Sequence, residues 1–207
     1  MKKLTPHKFD AGNCRSEWHE LRNLLAAKPT LEENKDILPF FKSRQDLSTL
    51  ISGYFPDIRT VNRYAHEYPI YGDFKADLIV GDASTSNYLL VEFEDGNPES
   101  VFRKKGSKAT PDWAARYEGA FSQLVDWMWK LEDMRSTNHF QDAFGDRQAK
   151  FQGLIVIGKD MVLDPQELSR LKWRTNKVIV DSNPISCVSF NDLHADLDFW
   201  LRKYYGV

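Results

Sequence analysis

The sequence predicts an α/β fold in which helices flank a mixed β-sheet, with a small helical subdomain at the N-terminus. Two sequence patterns support this prediction: helical spacing of apolar residues before position 56, and runs of β-branched and aromatic residues between 61 and 94. A long amphipathic helix over 113–134 then separates these runs from a fully apolar run at 151–158. Because a long helix between strands makes a crossover connection, part of the sheet is expected to be parallel.

The N-terminal part of the chain is predicted to be helical. Apolar residues recur on one face over 16–27, where Ser16 is the expected N-cap, and a second helical stretch begins at Thr30 and ends before Pro56. We therefore expect a flexible tail over 1–15, a helical lead-in over 16–57 and an α/β core over 58–207.

The predicted core begins with strands at 61–70, 73–80 and 88–94. The last two are joined by the turn-rich segment GDASTSN, so they should be antiparallel neighbours. Asp112 is the expected cap of the long helix, and a polar loop over 135–148 leads to the strand at 151–158. A helix at 163–176, a strand at 178–182 and a helix at 190–205 complete the prediction.

Composition and charge exclude several classes of protein. With 42% hydrophobic residues, ordered folding is expected, and no run approaches the roughly 18 apolar residues of a membrane span. The start of the chain lacks the apolar run of a secretory signal, and two isolated cysteines, Cys14 and Cys187, fit a reducing cytoplasm. The formal net charge of −2 gives no bulk indication of nucleic-acid binding, which would need a local basic patch.

The strands over 73–80 and 88–94 carry the most informative polar residues. Lys75 and Asp77 share one face of the first strand, and Glu92 and Glu94 share one face of the second. If Asp77 lies beside Glu92 across the hairpin, three acidic side chains converge, an arrangement suited to Mg²⁺ or Mn²⁺. The alternative is that both glutamates lie on the solvent face of an edge strand, where acidic residues discourage aggregation.

Three stretches resemble known proteins: KADLIV with STSNYLLVEFE, the helix YEGAFSQLVDWMWKLED, and FQGLIVIGKD. They resemble the PD-(D/E)xK restriction-endonuclease-like core and, more narrowly, the Shedu family of prokaryotic antiphage defence nucleases. The lead-in LLAAKPTLEENKDILPFF is also similar, so the likeness covers roughly residues 16–200. It implies a metal-dependent DNA endonuclease or nickase that hydrolyses phosphodiester bonds in phage defence and assembles as a homo-oligomer.

The resemblance also implies a site. Asp77, Glu92 and Gln123 correspond to the active-site Asp, Glu and helical Gln of the family, with Mg²⁺ or Mn²⁺ held by Asp77 and Glu92. The family pattern Glu-x-Lys reads Glu92-Phe93-Glu94 here, so Glu94 would add at most a metal ligand. Lys75 is the candidate for a migrated lysine. The alternative is a catalytically degenerate fold that is retained for nucleic-acid binding or regulation.

Two further features bear on the site. The small residues Gly119 and Ala120 should let the long helix approach the sheet closely and bring the Gln123 amide to the carboxylates. A loop after the second strand concentrates four cations, which would contact DNA phosphates without sequence preference: Arg103, Lys104, Lys105 and Lys108. A mobile charged loop is the alternative, and abundant aromatic residues leave a protein-interaction scaffold as a third class of function.

Overall fold

The secondary structure alternates short helices, strands and one long helix in the computed structural model, which describes residues 3–72, 74–104 and 110–207. The strands are β1 (Thr5–Pro6), β2 (Arg63–Ile70), β3 (Phe74–Asp82), β4 (Asn87–Phe93), β5 (Phe102–Arg103), β6 (Asp112–Trp113), β7 (Lys150–Val156), β8 (Ile179–Val180), β9 (Asn183–Pro184) and β10 (Ser186–Val188). The α-helices are α1 (Ala11–Ala27), α2 (Leu38–Lys42), α3 (Gln45–Leu50), α4 (Ala115–Met134), α5 (Asn138–Phe144), α6 (Pro165–Lys177) and α7 (Phe190–Trp200). Shorter turns of helix lie at Glu33–Ile37, Ile51–Tyr54 and Leu201–Tyr205.

A six-stranded mixed sheet runs in the order β1-β2-β3-β4-β7-β10. The pairs from β1 to β4 are antiparallel, whereas β4–β7 and β7–β10 are parallel. Helix α4 lies in the connection between β4 and β7. The predicted α/β class, the antiparallel β3–β4 hairpin and the crossover are therefore confirmed. No helix in the described part of the chain is long and apolar enough to cross a membrane.

The two faces of the sheet are buried by different helices. Ile79, Leu90 and Ile155 belong to one apolar core with the buried face of α4. Leu78 and Val91, on the opposite face, belong to a second core with α1, α2, α3 and α7. Side chains alternate across a strand, so each strand contributes to both layers. The N-terminal helices thus cover the sheet face that lies opposite α4.

The N-terminal segment differs from the expected flexible tail over residues 1–15. Thr5–Pro6 pairs with β2, and α1 begins at Ala11 rather than near Ser16. Asp10 is the N-cap, because its side chain accepts a hydrogen bond from the Asn13 N–H (2.9 Å). Asp46 of α3 accepts from the Asp10 N–H (2.8 Å) and so anchors the start of this helix.

Two more expectations about individual elements are wrong. Asp112 does not cap α4; it pairs with Arg103 in the β5–β6 ribbon, and the helix begins at Ala115. Part of the expected loop over 135–148 forms α5, which buries Phe140 and Phe144. The expected strand at 178–182 is present as the short β8, which pairs with β9, whereas the strand beside β7 is Ser186–Val188, which was not expected. Short amphipathic segments give weak periodicity, and tertiary packing decides their conformation.

Candidate active site

Asp77 lies where β3 and β4 separate. The pairing of the two strands runs from Asp82–Asn87 to Leu78–Val91. Beyond the Leu78–Val91 pair, the Phe93 N–H of β4 donates to Asp77 Oδ2 (2.9 Å). A side-chain oxygen therefore accepts the hydrogen bond that a backbone carbonyl would accept if the pairing continued. This bond holds the Asp77 carboxylate against the C-terminal end of β4.

Glu92 meets Asp77 on the sheet face that packs against α4. The two carboxyl groups are in hydrogen-bonding contact, and both residues are buried, at 7% exposure for Asp77 and 5% for Glu92. From α4, Gln123 Nε2 donates to Glu92 Oε1 (2.9 Å). The structure therefore brings together the Asp, the Glu and the helical Gln that the sequence singled out.

The Asp77–Glu92 pair is electrostatically costly when both groups are ionised. Burial raises the pKa of Glu92 well above its ordinary value, and the Asp77 and Glu94 charges raise it further. Burial also raises the pKa of Asp77, although the Phe93 N–H opposes this shift. Adjacent buried carboxylates favour sharing a proton or binding a cation.

Glu94 forms an ion pair with Arg116. It is 6% exposed, and Arg116 Nη1, from the first turn of α4, donates to Glu94 Oε2 (2.8 Å). Arg116 Nη2 also pairs with Asp95 Oδ2 (2.9 Å), and Nη1 lies 3.5 Å from Glu33 Oε2. A guanidinium thus joins three carboxylates beside the Asp77–Glu92 pair.

Glu33 reaches this cluster through an N-terminal segment. Leu31 and Gly96 exchange backbone hydrogen bonds of 2.9 Å, which attach the segment to the chain just after β4. The Glu33 N–H then donates to Asp95 Oδ1 (2.9 Å). Thr30 therefore precedes an isolated bridge instead of capping a helix, and the bridge places Glu33 near the site.

Lys75 lies at the edge of the site. Its Nζ is 2.8 Å from Glu67 Oε1, and its side chain is 56% exposed. Burial is the main cause of the raised pKa of Asp77, and the Lys75 charge opposes it without a direct contact. The structure thus places Lys75 near Asp77 but ties its amine to Glu67.

The close approach of α4 to the sheet has only part of the expected origin, because Ala120 is buried in the core between helix and sheet but Gly119 is not. A Cβ at Gly119 would meet no atom within 4 Å, so this glycine is not at the contact. On β7, a Cβ at Gly153 would lie 3.1 Å from the Met128 side chain and 3.2 Å from that of Leu124. A small residue on the strand, Gly153, therefore also admits the helix.

The basic loop is described only in part. Arg103 and Lys104 are exposed at its start, and Arg103 pairs with Asp112 across the β5–β6 ribbon. Because the Ala114 N–H donates to Val101 O (2.9 Å), the ribbon lies directly before α4. Lys105 and Lys108 lie outside the described residues.

A comparison with protein families decides the identity of the chain. The family model described as Shedu protein SduA, C-terminal, matches residues 31–194, which include every described residue of the site. The chain belongs to the Shedu family. A search of curated proteins gave no match. Membership of the Shedu family implies a role in defence against phage.

The acidic side chains of this Shedu-family chain offer oxygen ligands for a metal ion. In residues 3–72, 74–104 and 110–207, no group of three or more His, Cys, Asp or Glu side chains is arranged to hold a metal. Asp77 and Glu92 nevertheless offer two hard oxygen donors in contact. Mg²⁺ typically takes one or two carboxylates and completes its shell with water and substrate phosphates. The residues present fit that mode of binding.

The sequence prediction missed Arg116 and Glu33. Arg116 precedes Gln123 by seven residues, so the two share a face of α4, and this spacing was a readable signal. Glu33 carried no comparable signal, because only the Leu31–Gly96 bridge brings it to the end of β4.

Proposed function

We propose that this Shedu-family chain is a metal-dependent endonuclease or nickase that hydrolyses phosphodiester bonds of DNA in phage defence. The observation that carries the proposal is the contact between the Asp77 and Glu92 carboxyl groups, which are buried on one sheet face where the Gln123 amide donates to Glu92. Such a pair is destabilising by itself, and a divalent cation would compensate it.

Asp77 and Glu92 would hold Mg²⁺ or Mn²⁺ in this proposal. When bound, the ion lowers the pKa of a water and offsets charge on the scissile phosphate. The Phe93 N–H fixes the orientation of the Asp77 carboxylate, and Gln123 fixes that of Glu92. Gln123 also has an amide oxygen, which would position a water by accepting a hydrogen bond.

DNA would reach the carboxylates beside the basic loop. Arg103 and Lys104 are exposed next to the start of α4, and Lys105 and Lys108 continue the same charged run in the sequence. Contacts of this kind to phosphates supply affinity without base readout. The family likeness also leads us to propose a homo-oligomer that acts in the cytoplasm.

A plasmid-nicking assay with Mn²⁺ or Mg²⁺ tests the proposal. Glu92→Gln keeps the shape of the side chain but replaces a charged carboxylate ligand of the metal with a neutral amide. We therefore expect nicking to fall about 100-fold or more. Glu132→Gln is the matched control, because Glu132 is an exposed residue near the other end of α4. Equal nicking by the parent and Glu92→Gln would contradict the assignment.

A catalytically degenerate nucleic-acid-binding module is the second candidate. It is favoured by Glu94, which occupies the position of the family lysine. A degenerate module would bind DNA in a salt-dependent manner, with no nicking in any divalent cation. Nicking that requires both the metal and Glu92 would rule it out.

A further inference from the structure

We propose that Arg116 is the phosphate-binding cation of this site and that Glu94 holds it in place, so that the pair replaces the missing motif lysine. This inference rests on the proposed function and deepens it. In the Glu-x-Lys pattern a cation stands two residues after the metal-binding glutamate. Here that position is Glu94, and the positive charge comes from another element, the first turn of α4.

The geometry supports an anchor and an exposed cation. The Glu94 side chain is 8% exposed, whereas that of Arg116 is 49% exposed. The Glu94–Arg116 bond of 2.8 Å therefore joins a buried carboxylate to a guanidinium that solvent, and hence a ligand, can reach. Bonds to an ionised partner are stronger than neutral ones and fix the guanidinium plane.

Arg116 retains donors for a ligand. A guanidinium has five N–H groups in a rigid fork. Its contacts with Glu94, Asp95 and Glu33 engage at most three of them. The fork matches the geometry of a phosphate, which can accept two parallel N–H bonds.

Position on the helix links Arg116 to the reacting groups. Arg116 and Gln123 are seven residues apart, or about two turns, and so lie on one face of α4. Gln123 contacts Glu92, and Arg116 contacts Glu94, which lies two residues further along the chain, just past the end of β4. One helix face therefore delivers the amide to the proposed metal ligands and the guanidinium beside them.

Lys75 is the competing cation, and the observations favour Arg116. The Lys75 amine is bound to Glu67, and its effect on Asp77 is through charge alone. Arg116 instead contacts a carboxylate at the motif position itself.

The test measures binding of a short DNA duplex in EDTA by fluorescence anisotropy, alongside metal-dependent nicking. The key variant is Glu94→Gln/Arg116→Ala, which removes the buried Glu94 charge together with that of Arg116 and leaves the net charge unchanged; Asp95 and Glu33, which are partly exposed, lose their contact with Arg116. We expect affinity to fall about tenfold and the salt slope of binding to decrease by about 1. Nicking should fall about 100-fold, as when one donor to a reacting oxyanion is lost.

Two variants complete the design. Asp57→Asn/Lys150→Ala removes an exposed ion pair near the start of β7 and should bind and nick like the parent. Glu94→Lys/Arg116→Ala restores the motif lysine, and we expect it to recover at least tenfold of the nicking that Glu94→Gln/Arg116→Ala loses. Thermal unfolding verifies that each variant is folded. If Glu94→Lys/Arg116→Ala does not fold, the comparison of Glu94→Gln/Arg116→Ala with the parent decides the test.

The outcomes separate the two proposals. Parent-like affinity and nicking in folded Glu94→Gln/Arg116→Ala would overturn the role of Arg116 and leave the nuclease proposal intact. Affinity that depends on Arg116, without nicking by the parent, would support the phosphate contact and overturn the nuclease. A parent chain that binds no DNA would overturn both.

Discussion

The Asp77–Glu92 contact sets the energetic character of the site at the residue scale. Each carboxyl group is buried, and burial is the main cause of the raised pKa of both; the Asp77 charge raises the pKa of Glu92 further, whereas the hydrogen bond with Glu92 lowers the pKa of Asp77. Gln123 and the Phe93 N–H provide one hydrogen bond to each group, which offsets part of the desolvation. Stability is thus reduced at the place where a ligand of opposite charge would restore it, as is common at functional sites.

We expect Glu92→Gln to stabilise the metal-free protein at alkaline pH. A carboxyl group with a raised pKa keeps its proton to higher pH in the folded state than in the unfolded state. The stability it contributes is therefore lost as pH rises from about 4 through the folded pKa. In EDTA at pH 8, Glu92→Gln should raise Tm by about 3 °C or more, and the difference should vanish near pH 4.

Thermal unfolding by circular dichroism across this pH range checks the expectation. Glu132→Gln, at an exposed position of α4, is again the control. A Glu92→Gln variant less stable than the parent at pH 8 would contradict the electrostatic account. Added Mn²⁺ should raise the Tm of the parent more than that of Glu92→Gln, because binding to the folded state adds stability.

Helix α4 is the element that assembles the site. It spans Ala115–Met134, buries Tyr117, Leu124 and Met128 against the sheet, and carries Arg116 and Gln123 beside that apolar face. Its distance from the sheet depends on Gly153 of β7, where a larger side chain would collide with Leu124 and Met128. The position of the Gln123 amide is therefore coupled to packing at Gly153.

We expect Gly153→Leu to weaken both folding and nicking. Overpacking should lower the free energy of unfolding by about 1–3 kcal/mol. Displacement of α4 should also separate Gln123 from Glu92 and reduce nicking. Urea denaturation and the plasmid assay measure the two effects.

Gly119→Ala is the matched control for this element. Gly119 is exposed inside α4 with open space around its Cβ position, so alanine should stabilise the protein by about 0.5–1 kcal/mol. Parent-like stability and nicking in Gly153→Leu would show that α4 does not depend on this contact.

The whole molecule depends on both helical layers. The N-terminal helices share a core with Leu78, Val91 and the remaining residues on that sheet face, while α4 covers the other face. The Leu31–Gly96 bridge joins the N-terminal layer to the site. Removal of either layer would expose a full apolar sheet face, which a stable domain does not leave in water.

We therefore expect one cooperative unfolding transition for the whole chain. Leu21→Ala in α1, where Leu21 is 1% exposed, should cost about 2–4 kcal/mol. Far-UV circular dichroism and tryptophan fluorescence in urea should shift together, since Trp18 and Trp127 lie in the two layers. Two separate transitions would show that the N-terminal helices unfold independently.

Long periodic segments and the central strands were predictable from sequence. The helix over 113–134 and the hairpin of 73–80 with 88–94 follow from strong periodicity and a turn-rich connection, and both are present with small shifts at their ends. Helix α5 and strand β10 were missed, because short segments take their conformation from what they pack against. The start of α1 was missed because its cap, Asp10, is anchored by the distant Asp46.

The sequence by itself determined which side chains share a strand or helix face, because alternation and helical spacing are local properties of the backbone. Alternation indicated that Asp77, Glu92 and Glu94 could converge, and the resemblance to the Shedu family added Gln123 to that set. Only the tertiary structure decided what meets Glu94: Arg116 comes from a crossover helix and Glu33 from a bridged N-terminal segment. Contacts between elements distant in sequence depend on how those elements pack, which no local pattern in the sequence specifies.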